Sequence, residues 1–119
     1  MSEPDISNFT TIIKEIIKKS LFTERQIEII LKQKKMLDVE FGVSKGAYYR
    51  QLAQSRRKIE SVYYTLILLQ ALNVILTNSD VISRLAEQVN VMKDGKFAPE
   101  NEDQIIDGIQ KTVKQLVDV

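Results

Sequence analysis

The chain contains no cysteine and no histidine in its 119 residues, and it also lacks tryptophan. Without cysteine there are no disulfide bonds and no thiol nucleophile, and without either residue most zinc sites and the usual proton shuttle are excluded. Catalysis would depend on carboxylates and lysines, and no pair of carboxylates has the spacing that acid–base or metal chemistry requires. We therefore expect a protein that is not an enzyme and that needs no metal or cofactor.

Proline and glycine are scarce as well, with two prolines and four glycines in the whole chain. Because these residues interrupt helices, their scarcity favours long uninterrupted ones. Hydrophobic residues make up 44% of the chain and charged residues 28%, which is typical of one globular domain. The polar and acidic start from Met1 to Asp5 is unlike a secretion signal, so we predict a cytoplasmic protein.

The net charge of +1 conceals an uneven distribution of charge along the chain. Residues 1–60 carry 12 basic and 8 acidic side chains, whereas residues 61–119 carry 5 basic and 8 acidic ones. A positive field at one end attracts nucleic acid before any specific contact forms. The alternative interpretation is that lysine is simply favourable on a solvated helix surface.

The spacing of apolar residues predicts helices along nearly the whole chain. The first predicted helix has a cap at Ser7 and one apolar face, formed by Phe9, Ile12, Ile13, Ile16 and Ile17. A second helix begins at Glu24, because Thr23 and Gln26 have the spacing of a capping box. We expect this helix to bury Ile27, Ile30 and Leu31.

A third and much longer helix is predicted after a short connection. We expect one helical turn from Leu37 to Phe41, ended by Gly42 in a left-handed conformation. Ser44 then caps a helix that meets no proline or glycine after Gly46 and continues to about Leu76. At a rise of about 1.5 Å per residue this helix is about 50 Å long, which is more than so small a domain can bury.

The long helix carries a heptad pattern, in which apolar and small residues recur at alternating steps of four and three. Its second half predicts a homodimer interface formed by Ile59, Val62, Leu66, Leu69, Asn73 and Leu76. An ordinary buried helix in a monomer is the alternative. Residues 61–79 contain no charged side chain, but their serine, threonine, asparagine and glutamine residues argue against a membrane span.

The C-terminal part predicts two more helices that, with the long one, form a helical scaffold over residues 59–119. One is capped by Asn78, Ser79 and Asp80 and buries Val81, Ile82, Leu85, Val89 and Met92. The last begins at about Glu102 and buries Ile105, Ile106, Ile109, Val113, Leu116 and Val117. Between them Asp94-Gly95 allows either a loop, which we favour, or a small β-hairpin wing over residues 89–98. The predicted fold is all-α.

Three segments resemble a known class of DNA-binding domain: Leu21-Phe-Thr-Glu-Arg-Gln-Ile27, Gly42-Val-Ser44 and Arg56-Arg-Lys-Ile59. They resemble the helix-turn-helix of archaeal Tfx-like regulators and of the fourth-region domain of bacterial sigma factors. The resemblance covers residues 21–58 and implies binding to double-stranded DNA. Two departures are that Asp38 replaces a small residue and that the connection after the first helix is several residues shorter.

The resemblance also implies roles for individual residues. Gly42 corresponds to the turn glycine, Tyr48 would pack inward, and Lys58 would join the neighbouring arginines at the phosphate backbone. Arginine and lysine can reach guanine edges in the major groove, and a small residue such as Gly46 permits close approach. The predicted DNA-contacting residues are Arg25, Ser44, Lys45, Gly46, Tyr49, Arg50, Gln54, Arg56 and Arg57.

These patterns favour one function and leave a second open. We expect a transcription regulator that binds double-stranded DNA sequence-specifically as a homodimer. The alternative is a helical interaction module that docks on a polymerase or a DNA-partition complex.

Overall fold

The computed structural model describes residues 9–38, 40–75, 80–92 and 99–117. These ranges contain helices and no strand, which confirms the predicted all-α class. The helices are α1 (Thr11–Lys19), α2 (Glu24–Gln33), α3 (Lys45–Ala71), α4 (Asp80–Met92) and α5 (Pro99–Leu116). None of them, over the described ranges, combines the length and apolar character that crossing a bilayer requires.

The chain divides into two units. The first consists of Met1–Ile16 and Leu68–Val119, and the second of Ile17–Ile67. The second unit holds α2, most of α3 and the connection between them. It therefore contains all the residues that the sequence predicts to contact DNA.

The core of the first unit joins the start of the chain to its C-terminal helices. Ile12, Met92 and Ile106 form a buried cluster, flanked by partly buried side chains from the same helices (Ile13, Val89 and Ile105). The predicted burial of Met92, Ile106 and Ile109 is confirmed. Three residues of the predicted apolar faces are exposed instead: Ile82, Val113 and Val117.

The boundaries of α4 and α5 bear on the two interpretations of residues 89–98. Val89 to Met92 form the last turn of α4 and are therefore not part of a β-hairpin. Residues 93–98 lie outside the described residues, as do the predicted caps Ser7, Asn78 and Ser79. Helix α5 begins at Pro99, earlier than predicted, and proline suits a first helical position because its missing N–H is not needed there.

The start of α2 confirms the predicted capping box. The backbone N–H of Gln26 donates to Oγ1 of Thr23 at 3.1 Å, and the N–H of Thr23 donates to Oε1 of Gln26 at 3.1 Å. The predicted buried face is wrong, because Gln26 and Ile29 are buried while Ile27, Ile30 and Leu31 are only partly covered. The helix is rotated so that a polar residue, Gln26, faces inward.

Helix α2 ends in a Schellman motif, in which a residue with left-handed backbone follows the helix. Lys35 has a φ of 62°. Its N–H donates to the carbonyl of Lys32 at 2.9 Å, and the N–H of Met36 donates to the carbonyl of Leu31 at 2.8 Å. Gly42 does not adopt a left-handed conformation, so the predicted role of that glycine is wrong.

The predicted helical turn from Leu37 to Phe41 is wrong as well. Residues 37, 38, 40 and 41 are not helical, and Val39 lies outside the described residues. The left-handed Lys35 explains the difference, because it turns the chain away from the helix axis before that turn can form.

A second Schellman motif ends α3 at Ala71, before the predicted end near Leu76. Asn73 has a φ of 60°. Its N–H donates to the carbonyl of Gln70 at 3.1 Å, and the N–H of Val74 donates to the carbonyl of Leu69 at 2.8 Å. Asparagine tolerates this conformation better than most residues. Asn73 thus terminates the helix instead of continuing its heptad seam, and Leu76 lies outside the described residues.

Candidate nucleic-acid interface

Side chains join helices α2 and α3 at two levels within the second unit. Near the start of α2, Nζ of Lys58 donates to Oε1 of Gln26 at 2.7 Å and to the carbonyl of Leu21 at 2.7 Å. Near its end, the hydroxyl of Tyr48 donates to Oε1 of Gln33 at 3.3 Å. One side of α3 is therefore held against α2, and its opposite side faces solvent.

The start of α3 is capped as predicted. The N–H of Ala47 donates to Oγ of Ser44 at 3.1 Å, and the N–H of Tyr48 donates to the carbonyl of Ser44 at 2.9 Å. A capped helix start combines a positive dipole end with oriented N–H groups, which is favourable beside a phosphate.

Every predicted DNA-contacting residue lies at the surface. The exposed set comprises Arg25, Ser44, Lys45, Gly46, Tyr49, Arg50, Gln54, Arg56 and Arg57. Because residues seven apart fall on nearly the same side of a helix, Arg50 and Arg57 lie in one line, with Gly46 just before them. Lys45, Tyr49 and Arg56 flank this line on one side.

Basic side chains predominate along the first half of α3. No acidic residue occurs between Glu40 and Glu60. Within the described part of the chain, Arg50, Arg56 and Arg57 form no ion pair or side-chain hydrogen bond. The solvent-facing side of the first half of α3 is therefore a positively charged surface.

Arg25 reaches this region from α2. Its Nε lies 3.4 Å from a carboxylate oxygen of Glu28, and its guanidinium carbon lies 4.8 Å from the centre of the Phe41 ring. Such cation–π contacts are attractive because the ring face carries partial negative charge. Arg25 thus helps to hold the connecting segment against α2.

An open cavity of about 580 Å³ lies beside the start of α3. Its walls come from the end of α2, from the connection and from α3, and consist of Lys32, Gln33, Lys35, Glu40, Phe41, Val43, Lys45, Tyr48 and Tyr49. Three lysines and one glutamate line it, which makes its charge positive. Two of the predicted DNA-contacting residues, Lys45 and Tyr49, belong to this cavity.

Three aromatic rings pack in sequence along the cavity wall. Phe41 and Tyr48 have ring centres 5.9 Å apart, and Tyr48 meets Tyr49 edge to face at 5.3 Å. Nζ of Lys32 lies 5.3 Å from the centre of Phe41 and 6.0 Å from that of Tyr48. Tyr48 is partly buried, as predicted for an inward residue, whereas Tyr49 is 53% exposed.

The sequence did not single out Lys32, Lys35 and Phe41 as parts of a site. Periodicity places Lys32 and Lys35 away from the predicted apolar face of α2, and it assigns Phe41 to a short helical turn. The sequence does show that Lys32, Lys35, Phe41 and Lys45 lie within fourteen residues of one another, which could have indicated a shared site. The meaning of that closeness depends on the return of the chain from α2 to α3, which periodicity does not reveal.

The role at phosphate that the resemblance implies for Lys58 does not fit the structure. Its amine is directed into the second unit, toward Leu21 and Gln26, and it lies 5.7 Å from the ring of Phe22. Lys58 therefore joins α3 to α2. The neighbouring Gln54 and Arg57 line a second, shallower cavity of about 410 Å³.

The second half of α3 exposes apolar side chains, but not mainly those of the predicted seam. Ile59, Val62 and Leu69 are partly buried, and Leu66 is 40% exposed. The most exposed apolar residues of this half of the helix are Tyr63 (65%), Tyr64 (73%), Ile67 (63%) and Leu68 (55%), and Leu72 (64%) follows just after the helix end. Of these, Tyr63, Tyr64 and Ile67 belong to the second unit, and we call them the apolar surface of α3.

Comparison with protein-family models, with curated proteins and with solved structures finds no match for this chain. The residues that the structure describes contain no group of three or more acidic side chains placed to hold a metal ion. Function is therefore inferred from the geometry and charge of the second unit.

Proposed function

We propose that this chain is a transcription regulator that binds double-stranded DNA as a homodimer, with the first half of α3 as its reading helix. The observation that carries the proposal is the line of unpaired cations on the solvent-facing side of that helix. Arginine side chains placed in this way can contact guanine edges in the major groove and phosphates at its rim.

The arrangement of α2 supports the proposed role of α3. Contacts at Lys58 and Tyr48 join the inner side of α3 to α2 at two levels. A reading helix needs such support, because the positions of its side chains must be reproducible for one sequence to be preferred over another. The connection over residues 34–44 is longer than the three or four residues of a typical helix-turn-helix turn, so the proposed motif is a variant of that arrangement.

Gly46 provides a separate line of support. It lies in the first turn of α3 although glycine is less favourable than alanine in helices. Apart from its chain neighbours and its own helix backbone, a Cβ atom added at this position would meet no described atom within 4 Å. None of the described residues therefore requires a glycine here, whereas a closely approaching DNA groove would.

Dimerisation would cover the apolar surface of α3. Tyr64 follows Arg50 and Arg57 at intervals of seven residues, so the basic and apolar regions lie along the same side of one helix. Contiguous exposed apolar side chains are typical of protein interaction sites. A twin chain at this surface would place two reading helices around a two-fold axis, as a palindromic duplex requires.

Duplex binding measured over a series of salt concentrations tests the proposal. We expect affinity to fall steeply with salt, Arg50→Ala to weaken sequence preference, and Arg57→Ala to lower affinity for all sequences and reduce the salt slope by about one. Lys111→Ala removes an exposed cation of α5 and serves as the matched control, with no expected effect. Equal binding to duplex and to a heparin-like polyanion at every salt concentration would contradict the proposal.

The exposure of Tyr63, Tyr64 and Ile67 also favours a second candidate function. The same apolar surface suits a helical accessory module that docks on a polymerase or a DNA-partition complex. Replacement of Lys45, Tyr49 and Arg50 together by alanine separates the two. Unchanged retention on DNA would favour the docking module.

A further inference from the structure

We propose that the open cavity between the end of α2 and the start of α3 binds a nucleoside monophosphate unit, an aromatic base that carries a phosphate. The unit can be a free nucleotide or an unpaired nucleotide of a nucleic acid. The proposal deepens the proposed function, because occupancy of the cavity engages Lys45 and Tyr49 and so competes with their contacts to duplex DNA.

The charge of the cavity indicates an anionic ligand. Lys32, Lys35 and Lys45 outnumber the one acidic side chain, Glu40, which leaves a net charge of +2. Lys35 and Lys45 form no ion pair or side-chain hydrogen bond with any described residue. A phosphate monoester carries between one and two negative charges near neutral pH and is therefore the matching group.

The aromatic wall indicates that the anion is attached to a flat ring. Tyr49 stands edge to face against Tyr48 and is 53% exposed, so one side of its ring is open to a stacking partner. Stacking on an exposed aromatic side chain is a main source of affinity for unpaired bases. The cavity volume of about 580 Å³ lies within the range of small-ligand sites.

The Schellman motif that ends α2 places Lys35 at the cavity wall. A lysine with a φ of 62° occupies a position where glycine is less strained. Here it keeps a cation on the cavity wall, where glycine would leave none.

This strain provides a variant whose loss of binding cannot be attributed to unfolding. Lys35→Gly removes the charge and relieves the left-handed strain, so the variant is expected to be at least as stable as the parent chain. Asn73→Gly relieves similar strain at the end of α3, outside the cavity. It is the matched control.

Equilibrium dialysis of the full chain against AMP, adenosine and inorganic phosphate tests whether the cavity binds a free nucleotide. We expect AMP to bind more tightly than either component alone. Lys35→Gly should weaken AMP binding about fivefold, as the loss of one solvent-screened charge pair implies, while Asn73→Gly leaves it unchanged.

A second arm compares a blunt DNA duplex with the same duplex carrying one unpaired nucleotide at an end. If the cavity binds an unpaired nucleotide of a nucleic acid, the duplex with the unpaired nucleotide should bind the parent chain more tightly than the blunt duplex does. Lys35→Gly should bind both duplexes equally. The proposal is overturned if neither AMP binding nor the gain from the unpaired nucleotide depends on Lys35. Binding of the blunt duplex is expected to depend on Arg50 instead. If the parent chain does not bind the blunt duplex, the proposed DNA-binding function is contradicted, and AMP binding alone then tests the proposal for the cavity.

Discussion

Lys58 and Gln26 join α3 to α2 through a hydrogen bond, with the Nζ of the lysine 2.7 Å from the Oε1 of the glutamine. Gln26 is 5% exposed, and the same oxygen also accepts the backbone N–H of Thr23. One amide oxygen thus closes the capping box of α2 and receives the lysine of α3. The start of one helix and the middle of the other are stabilised by a shared acceptor.

Removal of the lysine amine should destabilise the second unit. Lys58→Met keeps most of the apolar stem but loses the hydrogen bonds to Gln26 and to the carbonyl of Leu21. We expect a loss of about 1–3 kcal/mol in the free energy of unfolding, since hydrogen bonds from charged donors are stronger than neutral ones. Urea unfolding followed by circular dichroism measures it. Arg57→Ala, an exposed neighbour without a partner in the described chain, should change stability by less than about 0.5 kcal/mol.

Gln26 also couples Thr23 to Lys58, because Oγ1 of Thr23 accepts its backbone N–H while Lys58 donates to its side-chain oxygen. Thr23→Ala removes the cap and should cost about 1 kcal/mol. In the double variant Thr23→Ala/Lys58→Met the two losses should not add, because both act on Gln26 and groups in one hydrogen-bond network show interaction energies above about 0.5 kcal/mol. A double-mutant cycle from the same unfolding curves measures the difference. Strict additivity would show that the two contacts are independent.

The two left-handed residues predict a pair of stabilising substitutions. Lys35→Gly should raise the free energy of unfolding by about 0.5–1 kcal/mol, because the relief of strain exceeds the entropy that glycine adds to the unfolded chain. Asn73→Gly should give a smaller gain, since asparagine adopts this conformation more readily than lysine. Thermal unfolding of both variants beside the parent chain checks the order. A lower midpoint for Lys35→Gly would mean that its side chain contributes more than its backbone costs.

Local patterns in the sequence were sufficient to predict several features of the fold. The capping box of α2 depends on residues three apart, and the periodicity of α4 and α5 places Met92 and Ile106 on their apolar faces. Both predictions are confirmed. The serine cap of α3 is another local signal of this kind.

Features that depend on distant residues were not predictable in the same way. Hydrophobicity alone favours Ile27 over Gln26 as a buried residue of α2, and burial of the amide becomes favourable because the distant amine of Lys58 joins the N–H of Thr23 at its oxygen. The exposed cations of α3 follow from local spacing, whereas the cavity beside them depends on how Phe41 returns to Tyr48. The sequence thus predicts the basic side of α3 but not the cavity beside it.

The corrected face of α2 gives a further prediction. Ile29 is fully buried, so Ile29→Ala should cost about 2–5 kcal/mol through lost burial and a residual cavity. Ile27→Ala, at a partly covered position, should cost clearly less. The two midpoints in urea decide between the observed face and the face that periodicity predicts, in which Ile27 would be the more sensitive position.

The apolar surface of α3 predicts how the oligomeric state responds to charge. Ile67 is 63% exposed, so Ile67→Lys should leave the folded monomer intact. In a homodimer that covers this surface, the same change buries a lysine without a partner and should shift the protein to monomer. Thr65→Lys adds the same charge two residues away, on a different side of the helix, and should leave the dimer intact. Light scattering measures the mass of each variant. If Ile67→Lys is still a dimer, the dimer must form through another surface. If the parent chain is already monomeric, the apolar surface of α3 would instead bind a different protein, which favours the docking module.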